Sequence, residues 1–164
     1  MKINTEPHFS KSDQVVSKSG YIFYLLEDNW SLDKNINIPV SSIFGLLKTE
    51  VESGFIKTLA TYARNYSSSH VQNIFFRFLH YLRSTKSKSI TPTSLINYKS
   101  NLTKNTQWYL GTIRGFLRKW HDLGYAGISD EVIELLGGWV LKGNVKGDVI
   151  KRLDPLKGPL SDLE

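Results

Sequence analysis

The fold is decided most clearly by residues 67–82, which read SSSHVQNIFFRFLHYL. Apolar residues recur there at intervals of three and four, which is the spacing of one face of an α-helix. Serines stand immediately before this run, and serine is a favoured helix N-cap. The stretch therefore predicts an amphipathic helix with one buried stripe. That stripe consists of Val71, Ile74, Phe75, Phe78, Leu79 and Leu82.

The helical period continues on both sides of this stretch. A preceding helix is predicted from about Val51, and three serines separate it from the second helix. Thr91–Pro92 starts a third helix, because proline suits the first helical turn. A fourth extends to about Leu123 before the stop at Gly124, and Ser129 opens a short fifth. The sequence thus predicts a compact bundle of four to five helices.

Residues 1–50 lack the helical period. Residues 1–20 are polar and predict an irregular arm, whereas residues 21–26 favour a strand and residues 35–40 alternate polar and apolar. We expect a small N-terminal β hairpin or strand pair in a fold that is otherwise mainly α. The predicted divisions are 1–50 for the arm and strands, 51–141 for the helical domain and 142–164 for a linker rich in Gly, Pro and Lys.

The net charge of +6 is unevenly distributed along the 164 residues. Residues 57–121 contain eleven Lys and Arg and no Asp or Glu, so the other ten bases share the rest of the chain with all fifteen acids. A long segment without a carboxylate favours a surface that attracts a polyanion. If roughly five phosphates are neutralised, the logarithm of affinity should fall with that of salt concentration at a slope of about −4 to −5.

The fourth helix should turn Gly111, Arg114, Gly115 and Arg118 away from its apolar sector. Each interior glycine costs a helix about 1 kcal/mol relative to alanine. We therefore expect that another molecule or helix approaches the fourth helix closely at these glycines and offsets this cost. The sequence alone does not decide whether a phosphate backbone or another packed helix makes this close approach. The full set of candidate DNA contacts also includes the start and polar face of the second helix and two loops. It consists of Ser68, Ser69, His70, Asn73, Arg77, Lys86, Lys88, Lys104, Thr106, Gln107, Arg114, Arg118 and Lys119.

Catalytic motifs are not apparent in the sequence. The absence of cysteine excludes disulfides, thiolate metal sites and a cysteine nucleophile. The four histidines have no metal-ligand spacing, and there is neither a glycine-rich phosphate loop after a strand nor a G-x-S-x-G motif. We expect no metal, no cofactor and no catalytic residues in this chain. No apolar run approaches the roughly 18 to 20 residues of a membrane helix, so we expect a soluble, cytoplasmic protein without a membrane partner.

The order of these elements resembles the core-binding, SAM-like domain of tyrosine recombinases and phage-type integrases. In that family a serine- or threonine-led helix is followed by an S-I-T turn, a short helix and a helix of the type T-x-x-x-x-L-x-x-L/I-R-x-F. The resemblance covers about residues 67–127, and residues 158–164 look like the segment with which the catalytic domain opens, where Ser161 and Glu164 form a capping box. The matching residues of the turn and the last helix are Ser89, Ile90 and Thr91, and then Thr106, Leu110, Ile113, Arg114 and Phe116.

The resemblance implies that the helical domain forms one half of a clamp around double-stranded DNA. It implies an N-terminal fragment of a site-specific recombinase that is oligomeric on DNA and whose catalytic residues belong to a second, missing domain. Two other functions remain open. A helical protein–protein interaction module would bind its partner with little dependence on salt. A DNA-binding regulator without recombinase activity would bind one site tightly by itself, as a dimer.

Overall fold

The computed structural model describes residues 13–141, so the predicted linker at 142–164 and its capping box lie outside the described residues. It confirms a mainly helical bundle with β structure at its N-terminal side. The helices are α1 (Thr49–Asn65), α2 (Ser68–Thr85), α3 (Pro92–Asn101), α4 (Tyr109–Asp122) and α5 (Asp130–Gly137). The strands are β1 (Gln14–Val16), β2 (Ile22–Tyr24), β3 (Trp30–Asp33) and β4 (Ile36–Ile38).

The N-terminal part contains two antiparallel hairpins rather than one. Strand β1 pairs with β2, and β3 pairs with β4. The irregular arm predicted for residues 1–20 is therefore wrong at β1, which lies within it. This strand has three residues and only Val15 of them is buried, so it is too short to show a period in the sequence.

The hairpins and the helices share one hydrophobic core. The inward residues Phe23, Trp30 and Ile38 are fully buried in the same cluster as the helical stripes. A carbonyl of β3, at Leu32, also accepts hydrogen bonds from Ser17 Oγ at 2.7 Å and from another hydroxyl at the start of α2. The predicted division at residue 50 thus separates parts that are packed against each other.

Aromatic rings join α1, α2 and α4 at the centre of the bundle. The ring of Phe55 lies 4.7 Å from that of Phe78, 5.5 Å from Phe116 and 6.3 Å from Trp120. Gly54 makes this packing possible, because a Cβ there would meet Trp120 Nε1 and Ala126 O at 2.5 Å. The indole N–H itself donates to Ala126 O. Position 54 therefore excludes every side chain.

The helix ends agree with the predicted capping residues. Ser67 Oγ accepts from the backbone N–H of His70 at the start of α2, and Thr91 and Ser94 form a reciprocal capping box at the start of α3. Ser129 Oγ accepts from the backbone N–H of Val132 at the start of α5. Helix α4 begins at Tyr109 and not at the predicted Thr106, because residues 104–108 form turns first.

Candidate nucleic-acid interface

Acidic residues are unevenly distributed among the helices and strands of the fold. Neither α2 nor α3 contains Asp or Glu, and α4 contains one, Asp122, at its last position. The described acids lie in the hairpin region, at the start of α1 and in or beside α5, where Asp130 Oδ1 is 2.9 Å from His121 Nε2. The uneven distribution of charge along the sequence thus becomes an uneven distribution of charge among the helices and strands.

The two serines at the start of α2 that were predicted to contact DNA have different surroundings. Ser68 is only 5% exposed, and its Oγ donates to Leu32 O at 3.1 Å, so this side chain is part of the core and is not available to a ligand. Ser69 and His70 are exposed, as a surface contact requires. The imidazole of His70 lies 5.5 Å from the ring of the exposed Tyr66.

The outer face of α2 carries two exposed polar residues and one clamped cation. Asn73 and His80 are exposed. Arg77 is partly buried, because its guanidinium carbon lies 4.3 Å from the ring centroid of Trp108 and 4.1 Å from that of Tyr109. The expectation that Arg77 projects into solvent like its neighbours therefore needs correction: its outer end is fixed against the start of α4.

The two glycines of α4 face open space. A Cβ built on Gly111 or Gly115 would have nothing within 4 Å among the described residues. Of the two explanations that the sequence left open, close packing of another helix on these glycines is thus contradicted within residues 13–141. The carbonyl of Gly115 accepts a hydrogen bond from Tyr62 at 3.4 Å, so this part of the α4 backbone borders on α1 while its outer side is uncovered.

The two arginines of α4 have different surroundings. Arg118 is exposed, as predicted. Arg114 is partly buried, and its Nη1 donates to Leu136 O at 3.3 Å and to Trp139 O at 2.9 Å. These carbonyls end α5 and follow it, where a cation is favourable. The expectation that Arg114 is a solvent-facing DNA contact is therefore corrected: its side chain caps α5.

The remaining candidates lie in two separate places. Lys104 is exposed and Thr106 and Gln107 are partly buried in the turn before α4, where Thr106 Oγ1 accepts from the backbone N–H of Thr103. Lys119 on α4 is partly buried. Lys86 and Lys88 are exposed beyond the other end of α2, beside a cavity of about 560 Å³. At 1.5 Å per residue, Lys86 is about 24 Å along the helix from His70.

Buried tyrosines lie next to this surface and keep their protons. Burial raises the pKa of Tyr62 to about 12, and the neighbouring Tyr66 adds to the shift. Burial likewise raises the pKa of Tyr98, with Tyr109 adding to the shift and Arg77 opposing it. A hydroxyl with a raised pKa is a weaker nucleophile at neutral pH. These groups therefore act as neutral hydrogen-bonding partners.

Sequence reasoning missed Trp108 and Tyr109 as part of the site. Both lie where α4 begins, and their rings are 4.8 Å apart at 85°. A pair of adjacent Trp and Tyr residues after a polar turn is a usable signal, because these side chains combine a large ring with a polar group and are enriched at interfaces. The described residues contain no group of three or more His, Asp and Glu that could hold a metal. Within the same range, no helix is long and apolar enough to span a bilayer.

Comparison with known proteins identified no match. No protein-family model, no curated protein and no solved structure matches the chain.

Proposed function

We propose that the protein binds duplex DNA through the outer faces of α2 and α4. It is the DNA-holding N-terminal part of a cytoplasmic, integrase-type tyrosine recombinase, and strand exchange belongs to a separate catalytic domain. The observation that carries the DNA-binding part is the uncovered glycine face of α4, at Gly111 and Gly115. The recombinase part rests on the resemblance of residues 67–127 and 158–164.

The glycine face suits a phosphate backbone for a steric reason. Without Cβ atoms, a strand of DNA can approach the α4 backbone closely, which offsets the low helix propensity of glycine. Polar residues of α2 contact tyrosines that adjoin or belong to α4: the His70 ring is 6.1 Å from that of Tyr62, which bonds Gly115, and Arg77 contacts Tyr109. Helix α2 therefore brings groups that hydrogen-bond or attract phosphate to the same pair of helices.

The expected salt dependence follows from the cations that the fold leaves near this face. Arg77 and Arg118 lie on the two helices, and Lys104 lies in the turn before α4. If each neutralises one phosphate, the slope of log affinity against log salt is about −2.7. This is shallower than the slope of about −4 to −5 expected from the sequence, because three cations are counted rather than about five; Arg114, which α5 engages, is one of those left out.

The DNA-binding proposal is tested by fluorescence polarisation with a labelled duplex of about 25 base pairs, titrated at several salt concentrations. The variant Arg118→Glu should weaken binding about tenfold, which corresponds to about 1.4 kcal/mol. The matched control is Lys34→Glu, which makes the same change of charge at an exposed position of the β3–β4 turn. It should change affinity by less than about twofold.

Equal effects of the two substitutions would show that only net charge matters and would refute the interface. Failure of the wild-type protein to bind duplex DNA at low salt would refute DNA binding altogether, and a salt-insensitive protein partner would favour an interaction module. The recombinase part has its own test. The gene beyond the codon for Glu164 should encode the pattern R…H-x-x-R…Y, and a different continuation would remove that assignment.

A further inference from the structure

Arg77 is held in the corner between two aromatic rings. Its guanidinium carbon lies 4.3 Å from the Trp108 centroid and 4.1 Å from the Tyr109 centroid, and those two rings are nearly perpendicular. Because the rings belong to α4 and Arg77 belongs to α2, the contact fixes a cation at the junction of the two helices. An arginine on an open helix face has no such restraint.

The hydrogen bonding of this guanidinium is incomplete among the described residues. Its Nε is buried and has no hydrogen-bond partner among the described residues. Arg77 as a whole is only partly buried, so part of its side chain is accessible to solvent. The chain from 57 to 121 also supplies no carboxylate to neutralise the charge. A buried N–H without a partner and an unpaired charge both oppose folding.

The groups around the clamp are neutral or basic. His80 packs edge-on against Tyr109 at 5.7 Å, and its Nδ1 is 2.7 Å from the hydroxyl of Tyr98. These contacts support one ring of the clamp from behind and bring no negative charge to Arg77. An uncharged side chain would join α2 to α4 without leaving an unsatisfied Nε. The cation–π contacts with the two rings favour a cation at this position, but they leave its charge without a counter-ion, which an anion at the two Nη atoms would supply.

We propose that Arg77 is the fixed phosphate anchor of the DNA interface, and that Trp108 and Tyr109 are its positioning residues. This inference rests on the proposed function and names the contact on which affinity depends most. The two Nη atoms fork onto two oxygens of one phosphate, which is the geometry that arginine provides and lysine does not. The rings hold the fork in place before DNA arrives, so less side-chain freedom is lost on binding.

A charge-conserving pair of variants tests the anchor. Arg77→Lys keeps the charge but loses the fork and the ring contacts, and it should weaken duplex binding about tenfold. The matched control, Arg118→Lys, makes the same change at an exposed position of α4 and should stay within about twofold. If both variants bind alike while the wild-type protein binds DNA, the anchor is refuted and the proposed function stands. If the wild-type protein does not bind duplex DNA, both are refuted.

A double-mutant cycle tests the positioning role of the indole. Trp108→Leu keeps an apolar side chain but removes the ring face, and it should weaken binding about fivefold. In the Arg77→Lys background the same substitution should have almost no further effect, because Trp108 acts through Arg77. Additive losses would show that Trp108 contacts DNA by itself or only stabilises the fold. Thermal unfolding of each variant separates a loss of contact from a loss of structure.

The wild-type protein gives a readout that needs no substitution. The N–H group at Arg77 Nε is buried, so its proton should exchange slowly enough to be followed by NMR. On titration with a short duplex, that resonance and the indole resonance of Trp108 should shift with the same dissociation constant as the polarisation signal. Unchanged resonances at saturation would refute the anchor even if the variants fail to fold.

Discussion

Replacing the two open glycines of α4 with alanine should make the protein more stable and a weaker DNA binder. A Cβ at Gly111 or Gly115 meets nothing within 4 Å among the described residues, so no steric cost offsets the better helix propensity of alanine. Each substitution should raise the free energy of unfolding by about 1 kcal/mol, or about 2 kcal/mol for both. The melting temperature should rise by about 3 to 5 °C for each in a domain of this size.

The same substitutions place methyl groups where the proposed phosphate backbone approaches. Affinity for a 25-base-pair duplex should fall about five- to tenfold for Gly111→Ala and Gly115→Ala together, at unchanged net charge. Urea unfolding followed by circular dichroism measures the first effect, and fluorescence polarisation measures the second. Gly54→Ala is the control, because its Cβ would meet Trp120 and Ala126 at 2.5 Å and should destabilise strongly. Loss of stability in the α4 variants, or unchanged affinity, would refute the reasoning.

Of three further predictions, two concern contacts that remove candidates from the surface, and the third concerns buried tyrosines. Arg114→Ala should lower the free energy of unfolding by about 2 kcal/mol and speed amide exchange in α5, because the carbonyls of Leu136 and Trp139 lose a charged donor; unchanged exchange would contradict the cap. Ser68→Ala should lower stability by about 1 kcal/mol in urea titrations yet leave DNA affinity unchanged; a large loss of affinity would return Ser68 to the interface. Burial raises the pKa of Tyr62 and Tyr81 from 10.0 to about 12, so the unfolded chain loses these protons first. The stability that they contribute should be constant below about pH 9 and fall as the pH rises from 10 to 12; urea titrations with no such decline would contradict their burial.

The helical part of the fold could be predicted because its signals are local. Val71, Ile74 and Phe78 recur with the period of a helix and are all buried, and the caps at Ser67 and Thr91 act within one turn. Strand β1 was missed because its pairing partner lies beyond a turn, and a three-residue strand leaves no periodic trace. The start of α4 was misplaced for a similar reason, since hydrogen bonds between Thr103 and Thr106 form a turn that only the folded chain shows.

The candidate site was predictable only as a list of residues that point outward. Helical geometry correctly placed Asn73 and Arg118 on exposed faces. It could not show that Arg77 meets rings from another helix or that Arg114 reaches the carbonyls after α5. Long arginine side chains find partners that are distant in sequence, so the angle of a residue on its own helix decides little about where its charge lies.

After these corrections, DNA binding is supported by features whose energetic cost the fold does not offset. The exposed glycines weaken α4 by about 2 kcal/mol in total, and no described neighbour uses the space that they leave open. The buried Nε of Arg77 lacks a partner within residues 13–141, and 65 residues of chain around it carry no acid. The glycines belong to α4, and the Arg77 clamp joins α2 to the start of α4. A phosphate backbone would fill the space, bond the guanidinium and neutralise the charge, whereas an uncharged protein partner would fill the space alone.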